Sequence, residues 1–442
     1  MQVDSHSMRI VYDMTILVNG YQKNGTRTGI VRVIEFLAQE LSKNKEVRFH
    51  FCAIDNIFFV KSCLDFLRSS KKFNNIPFLF PDIFQTGIKK AELLNRFQNR
   101  LGKIGKTTVF DKGFRFLTFK ILTYYQSKFI SQKTVHPQKQ SIKEIYHSPF
   151  LPLTNISSNN AECIKFITIY DMIPVLFPEF FSQETKIQLE KVYASIDENT
   201  WVLCISESTR NDLLKYKGDR IDPQKVFVTH LAASNYFYKS SDAILDRTVL
   251  EKYNIPNKPY VLALSILDPR KNMSMIIESY ARLINKYEIG DLNLVLVGPS
   301  GFGVEGILKS ISNQPELSHR IILTGFVADE DLAAIYTNAL MFVYPSFYEG
   351  FGLPPLEAMQ CGVPVITSNT SSLPEVVGDA AIMIDPQSAN ELEAAMYSLY
   401  TDQNLRYNLS AKGMERAKLF SWKKCAEKTI DVYRKACSLE SI

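Results

Sequence analysis

Residues 346–362 read SFYEGFGLPPLEAMQCG, and almost every position in that stretch restricts the backbone. The apolar run Leu340 to Tyr344 just upstream has the length and bulk of a buried strand. Pro354 and Pro355 suit the first turn of a helix, where a missing N–H leaves nothing unpaired. Gly362 suits that helix's end, and Pro364 blocks its continuation. The unit is therefore strand, glycine loop, helix N-terminus. Such a unit gathers unpaired backbone N–H groups and the positive end of the helix dipole at one point, which suits a phosphate. Glu349 and Glu357 bracket the loop with seven residues between them. Carboxylates would repel a phosphate, so they are expected to turn to other partners, the vicinal hydroxyls of a sugar first among them.

Working outward, the same alternation repeats. Upstream come a strand from Pro259 to Ser265, a helix from Met273 to Tyr287, strands Leu292 to Gly298 and Ile321 to Gly325, and a helix from Asp331 to Asn338. Downstream come a strand from Val363 to Thr367 and a helix from Asn390 to Tyr400. An earlier series has strands at Met8 to Ile16, Val47 to Ile54, Lys165 to Tyr170 and Trp201 to Ser206, with a helical pattern from Ile30 to Leu41. Strands alternating with helices predict parallel sheets with right-handed crossovers. Two series predict two doubly wound α/β domains, with ligands at the carboxyl ends of the strands. The expected boundaries are 8–240 for an N-terminal domain with an insertion at about 55–140, and 258–415 for a C-terminal one. The polar, Pro-containing stretch Ser240 to Lys258 would connect them, and 416–442 would carry a final helix.

A chain of 442 residues exceeds what one hydrophobic core usually serves, in keeping with two domains. Its 46% hydrophobic and 22% charged residues are ordinary for a soluble protein. No long uninterrupted apolar run or leader-like N-terminus is evident, and seven scattered cysteines never form Cys-x-x-Cys. These features predict a cytoplasmic chain with reduced thiols, without a zinc site or transmembrane helix. The net charge of +5 is unevenly spread, for Lys89 to Lys139 holds twelve Lys and Arg against two acids, Glu92 and Asp111. That stretch is also aromatic. It suits either a helical insertion packed on its own domain or a peripheral contact with an anionic membrane surface at the inner face of the cell membrane. Nucleic acid would accept the charge but is the weakest of the three readings, and no nucleic-acid partner is expected.

Asp268-Pro-Arg-Lys-Asn272 follows a strand and precedes a helix, so Arg270 and Lys271 would stand over a diphosphate and stabilise charge on a departing nucleotide. Gly29 opens a helix, and amides beside it would approach the same phosphates. Two other patterns carry less. Gly301-Phe-Gly303-Val-Glu-Gly306 matches a dinucleotide fingerprint but sits mid-series beside phosphate loops already explained. Asp329-Glu-Asp331 looks like a metal pair, yet it directly precedes a helical pattern where acids favour the dipole. No metal and no cofactor is expected.

Residues 346–362 together with Arg270, Lys271 and Asn272 resemble the signature of the family 4 glycosyltransferases, retaining enzymes of GT-B fold that use nucleotide-sugar donors. The resemblance is strong from about Tyr260 to Pro386 and patchy before it. It implies a C-terminal helix that crosses back to the N-terminal domain. It implies that Glu349 binds the donor sugar and Glu357 the ribose, and that Gly350, Phe351, Gly352 and Leu353 border sugar and phosphate. Phe326 and Val327 would lie beside the nucleobase. Tyr170-Asp171-Met-Ile-Pro174 matches a family segment near the reacting sugar, with Tyr170 where the family has histidine; Tyr is a poor base at neutral pH. His147 resembles an acceptor-side position. The implied reaction transfers a hexose, with mannose from GDP-mannose expected first, to a glycan or lipid-linked saccharide in bacterial surface polysaccharide synthesis. Alternatives are a nucleotide-sugar epimerase of the same fold or a catalytically inactive assembly domain.

Overall fold

The computed structural model describes residues 8–22, 29–53, 57–79, 84–93, 108–132, 144–153, 163–264, 269–298 and 304–439. Two parallel sheets organise it. The first contains β1 (Met8–Asp13), β2 (Val47–Cys52), β3 (Phe78–Leu79), β4 (Glu144–Ser148), β5 (Cys163–Ile169), β6 (Trp201–Cys204) and β7 (Val226–Val228). Their spatial order is β3-β2-β1-β4-β5-β6-β7. The second contains β8 (Tyr260–Leu264), β9 (Asn293–Val297), β10 (Ile321–Gly325), β11 (Met341–Tyr344), β12 (Val365–Ser368) and β13 (Ile382–Ile384), in the order β10-β9-β8-β11-β12-β13. Every pairing is parallel.

Both orders reverse once, between β1 and β4 and between β8 and β11. At a reversal the connections leave to opposite faces, so a crevice opens at the carboxyl ends of those two strands. Arg270 and Lys271 follow β8 and Glu349 follows β11. Strands flanked by helices on both sides bury both of their own faces, which is why β11 (MFVY), and β9 (NLVLV) after its first residue, read as apolar runs. The helix Met273–Tyr287 buries Met273, Ile276, Ile277, Tyr280, Leu283 and Ile284 against its sheet at helical spacing.

The helix Trp422–Leu439 crosses back to the first domain, where it lies on the helix Gly29–Lys43. Trp422 stacks on Phe36 with ring centroids 5.5 Å apart, and Arg434 meets Glu46 at 2.8 Å. One expectation needs correction. The stretch 240–258 is not a bare connection, since its helix Ala243–Lys252 packs on the helix Asp329–Thr337 of the second domain. Within the insertion, β3 pairs with β2, and Ile57, Val60, Cys63, Phe73 and Phe84 belong to the main core.

Much of Lys89–Lys139 lies outside the described residues. Its helix Thr108–Gln132 has one face turned inward. Leu122 is buried, Tyr125 fills the space beside Gly87, and Gln126 accepts the Ile57 amide at 2.8 Å. Phe116, Leu117, Phe119 and Tyr124 are exposed, with Lys120 4.7 Å from the Phe116 ring and Lys128 5.0 Å from Tyr124. Among the described residues no helix is long and apolar enough to cross a membrane.

Candidate active site

The turn after β8 and the loop after β11 meet in one charged cluster. Glu349 is buried, accepts from Lys271 Nζ at 2.5 Å, from the Tyr344 hydroxyl at 2.8 Å and from Ser346 Oγ at 2.6 Å, and forms an ion pair with Arg270 Nη1 at 3.1 Å. Burial alone would raise its carboxyl pKa. Lys271 and Arg270, with the Lys271 and Ser346 hydrogen bonds, outweigh burial and hold it at about 2. Asn272 sets the pose of the two cations. It takes a left-handed backbone (φ 60°), which Asn tolerates, and its amide bonds the carbonyls of Pro386 at 2.7 Å and Pro345 at 3.2 Å. Arg270 Nη1 also donates to the Tyr348 carbonyl at 2.6 Å.

This loop presses on the first domain. A Cβ added to Gly350 would collide with the Tyr170 carbonyl and stand 2.9 Å from Asp171 Cβ; here glycine is required by close approach. The Gly350 carbonyl accepts from Ser206 Oγ at 2.7 Å and Thr209 Oγ1 at 3.2 Å, and the Tyr348 hydroxyl donates to Asp212 at 2.6 Å. Asp171 therefore faces the cluster. Burial raises its carboxyl pKa, opposed by the Ile173 amide, which donates at 3.0 Å, and by Arg270 and Lys271. Tyr170 meets the loop through its carbonyl, and burial pushes its phenol far above the ordinary value.

Gly352, at φ 114°, begins the helix Leu353–Gln360, on which Glu357 is buried. Desolvation raises the Glu357 carboxyl to about 7, against the pull of Arg32 and a long 3.4 Å bond from Tyr336. Beyond it lies the segment after β10, where Phe326 is 57% exposed and Val327 is buried. Arg32, which the sequence reading passed over, crosses from the first domain to pair with Asp329. Its only signal is its place one turn after Gly29. Gly29 is exposed, and an added Cβ would meet nothing within 4 Å, so the helix start there does not depend on glycine for space.

One expectation changes. His147 does not face the cleft: fully buried, it bonds Tyr433 through Nδ1 at 2.6 Å and Thr168 through Nε2 at 2.8 Å, and desolvation lowers its pKa to about 3. It ties the crossover helix to the first sheet. The Phe351 ring turns into the core against Phe420, centroids 5.8 Å apart, so only its backbone borders the loop. The acids of 329–331 are divided, with Asp329 on Arg32 and Asp331 on Lys252 and the Tyr253 hydroxyl. Among the described residues no cluster of three potential metal ligands forms. Asp268 and residues 301–303 lie outside the described residues.

Comparison with known proteins agrees with this architecture. A family model described as "Glycosyl transferases group 1" matches residues 247–416. The chain is 33% identical over 312 residues to the O-antigen chain mannosyltransferase B of Escherichia coli, covering 68% of this chain and 78% of that protein. Against the longer serotype-specific mannosyltransferase WbdA of Escherichia coli it is 27% identical over 280 residues, 63% of this chain but 34% of the relative. In fold it resembles sucrose-phosphate synthase from Thermosynechococcus elongatus, with a TM-score of 0.64, 18% identity and 98% and 100% of the two chains covered. WaaG, a glycosyltransferase of lipopolysaccharide biosynthesis, gives a TM-score of 0.60 at 12% identity, with 96% and 99% covered. With two parallel α/β domains in the GT-B arrangement and a 33% identical relative matched over most of its length, the chain belongs to the group 1 glycosyl transferases.

Proposed function

We propose that this glycosyltransferase moves mannose from GDP-mannose to a hydroxyl of a glycan or lipid-linked saccharide, with retention of anomeric configuration, in surface polysaccharide synthesis. The observation that carries the reading is the Arg270–Glu349–Lys271 cluster at the carboxyl ends of β8 and β11, facing Asp171 across the joint. A donor diphosphate would draw on the two cations. As the bond from the anomeric carbon to phosphate oxygen breaks, its electron pair goes to the departing nucleoside diphosphate, whose charge Arg270 and Lys271 stabilise. The acceptor oxygen bonds to the same face of that carbon, and its proton passes to the leaving phosphate. Glu349 would hold sugar hydroxyls rather than act as nucleophile, being engaged by both cations.

On this reading Glu357 takes the ribose hydroxyls and the backbone at Phe326 and Val327 borders the base. Amides near Gly29, Gly350, Phe351, Gly352 and Leu353 approach phosphate and sugar, and Tyr170 and Asp171 line the reacting side. The chemistry needs no metal or cofactor, because side-chain cations serve the phosphates. The relatives' names support mannose. The exposed Phe116, Phe119, Lys120, Tyr124 and Lys128 suit peripheral contact with an anionic membrane. A panel of nucleotide sugars, offered with and without saccharide acceptors, tests the activity by nucleotide release, and NMR of the product reads the anomeric configuration. Release from GDP-mannose that requires acceptor and gives an α-linked product supports the reading. Conversion of a nucleotide sugar into its epimer without acceptor would replace it with the epimerase. Sedimentation with anionic and neutral vesicles at low and high salt tests the membrane contact.

A further inference from the structure

We infer that Arg32 is a nucleotide-binding residue supplied by the N-terminal domain, so that a nucleoside diphosphate is gripped from both sides of the cleft. The inference rests on the donor-site reading above. Arg32 lies in the first turn of the helix Gly29–Lys43, whose start faces the second domain. Its guanidinium reaches Asp329, two residues beyond Val327 and at the start of the helix Asp329–Thr337. It also acts electrostatically on Glu357, drawing that buried carboxyl towards its charged form. One cation of the first domain thus stands between the base-side segment and the ribose-side glutamate of the second.

The guanidinium is incompletely used. Nη2 serves Asp329, while Nε is sealed from solvent and meets no acceptor among the described residues. With Nε enclosed, a ligand oxygen would meet the guanidinium on the part of the side chain left open to solvent, 23% of its surface. Guanidinium presents its donors in a planar fork, which matches phosphate oxygens or a sugar diol. Asp329 holds the fork ready without occupying it fully.

Calorimetric titration of GDP and UDP into the parental protein, R32A, R32K and D329N tests this. R32A should bind the preferred nucleotide at least tenfold more weakly. R32K, which keeps the charge but loses the fork, should recover only part of the affinity. D329N, which leaves Arg32 in place, should lose clearly less than R32A. Parental affinity in R32A overturns the inference, and so do equal losses in R32A and D329N, which would make the pair a strut between domains. Thermal unfolding checks folding; should R32A not fold, R32K decides by the same measure, parental affinity overturning the inference. A parental protein that binds neither nucleotide would remove the donor reading itself, whereas parental binding with R32A unaffected removes only the role of Arg32.

Discussion

Replacing Glu349 with glutamine tests the cluster most severely. The substitution keeps shape and hydrogen-bonding capacity toward Tyr344 and Ser346 but leaves Arg270 and Lys271 without their shared countercharge. A carboxyl held at about 2 rather than 4.5 means that the folded state prefers the ionised form by roughly 3 kcal/mol. The folded value is depressed, so this stabilisation is present above about pH 4.5 and is lost as the pH falls toward 2. At pH 7 E349Q should therefore lose about 3 kcal/mol, which lowers the transition of a domain this size on the order of 10 °C. A nucleoside diphosphate supplies the missing charge, so the variant should bind GDP at least as tightly as the parent and recover most of the lost melting temperature. Transfer should nonetheless fall, because the sugar has lost its partner. Scanning calorimetry with and without GDP, alongside titration, reads both effects. Equal melting temperatures of E349Q and parent without ligand would refute the ion-pair argument. Loss of GDP binding would refute the assignment of the two cations to phosphate.

Arg270→Ala and Lys271→Ala should each remove one charge-assisted contact in a dry cleft, about 1.5–3 kcal/mol or roughly 10–100-fold in kcat/KM, as steady-state kinetics will show. Glu357, held at about 7 by burial, should make nucleotide binding about tenfold tighter at pH 8 than at pH 6 if its ionised form takes the ribose, and E357Q should flatten that dependence in titrations at both pH values. For the fold itself the raised Glu357 value works the other way, with stability lost as pH rises from about 4.5 through 7. Tyr433→Phe removes the partner of a buried His147 nitrogen and should destabilise by about 1–3 kcal/mol in urea unfolding, without altering acceptor KM.

The second domain was legible because its four central strands are almost wholly buried and its helices open and close with Pro, Gly and Asn. The helix Met273–Tyr287 matches its expected limits for that reason. The first domain was less so: β3 and β7 have two and three residues, too few to show a period, and their pairing depends on neighbours distant in sequence. Among the candidate residues, Arg270, Lys271 and Glu349 do assemble, since each sits just beyond a strand end that the alternation had placed. His147 misled because a lone histidine carries no mark of burial; only the Tyr433 hydroxyl, on a helix at the other end of the chain, reveals what it does. Arg32 was silent for a similar reason, its partner lying almost three hundred positions away.

The helix Trp422–Leu439 also bears on how the molecule comes into being. It covers Phe36 and secures His147, parts of a domain whose own sheet ends at Val228. During synthesis that domain emerges first, yet its helical layer stays open until the whole second domain has left the ribosome. The second domain, whose sheet is contiguous from Tyr260 to Ile384, can close as it emerges. Assembly then finishes out of order, with the earlier half waiting on the later one, and the exposed apolar stripe around Phe36 is where a chaperone would find the nascent chain.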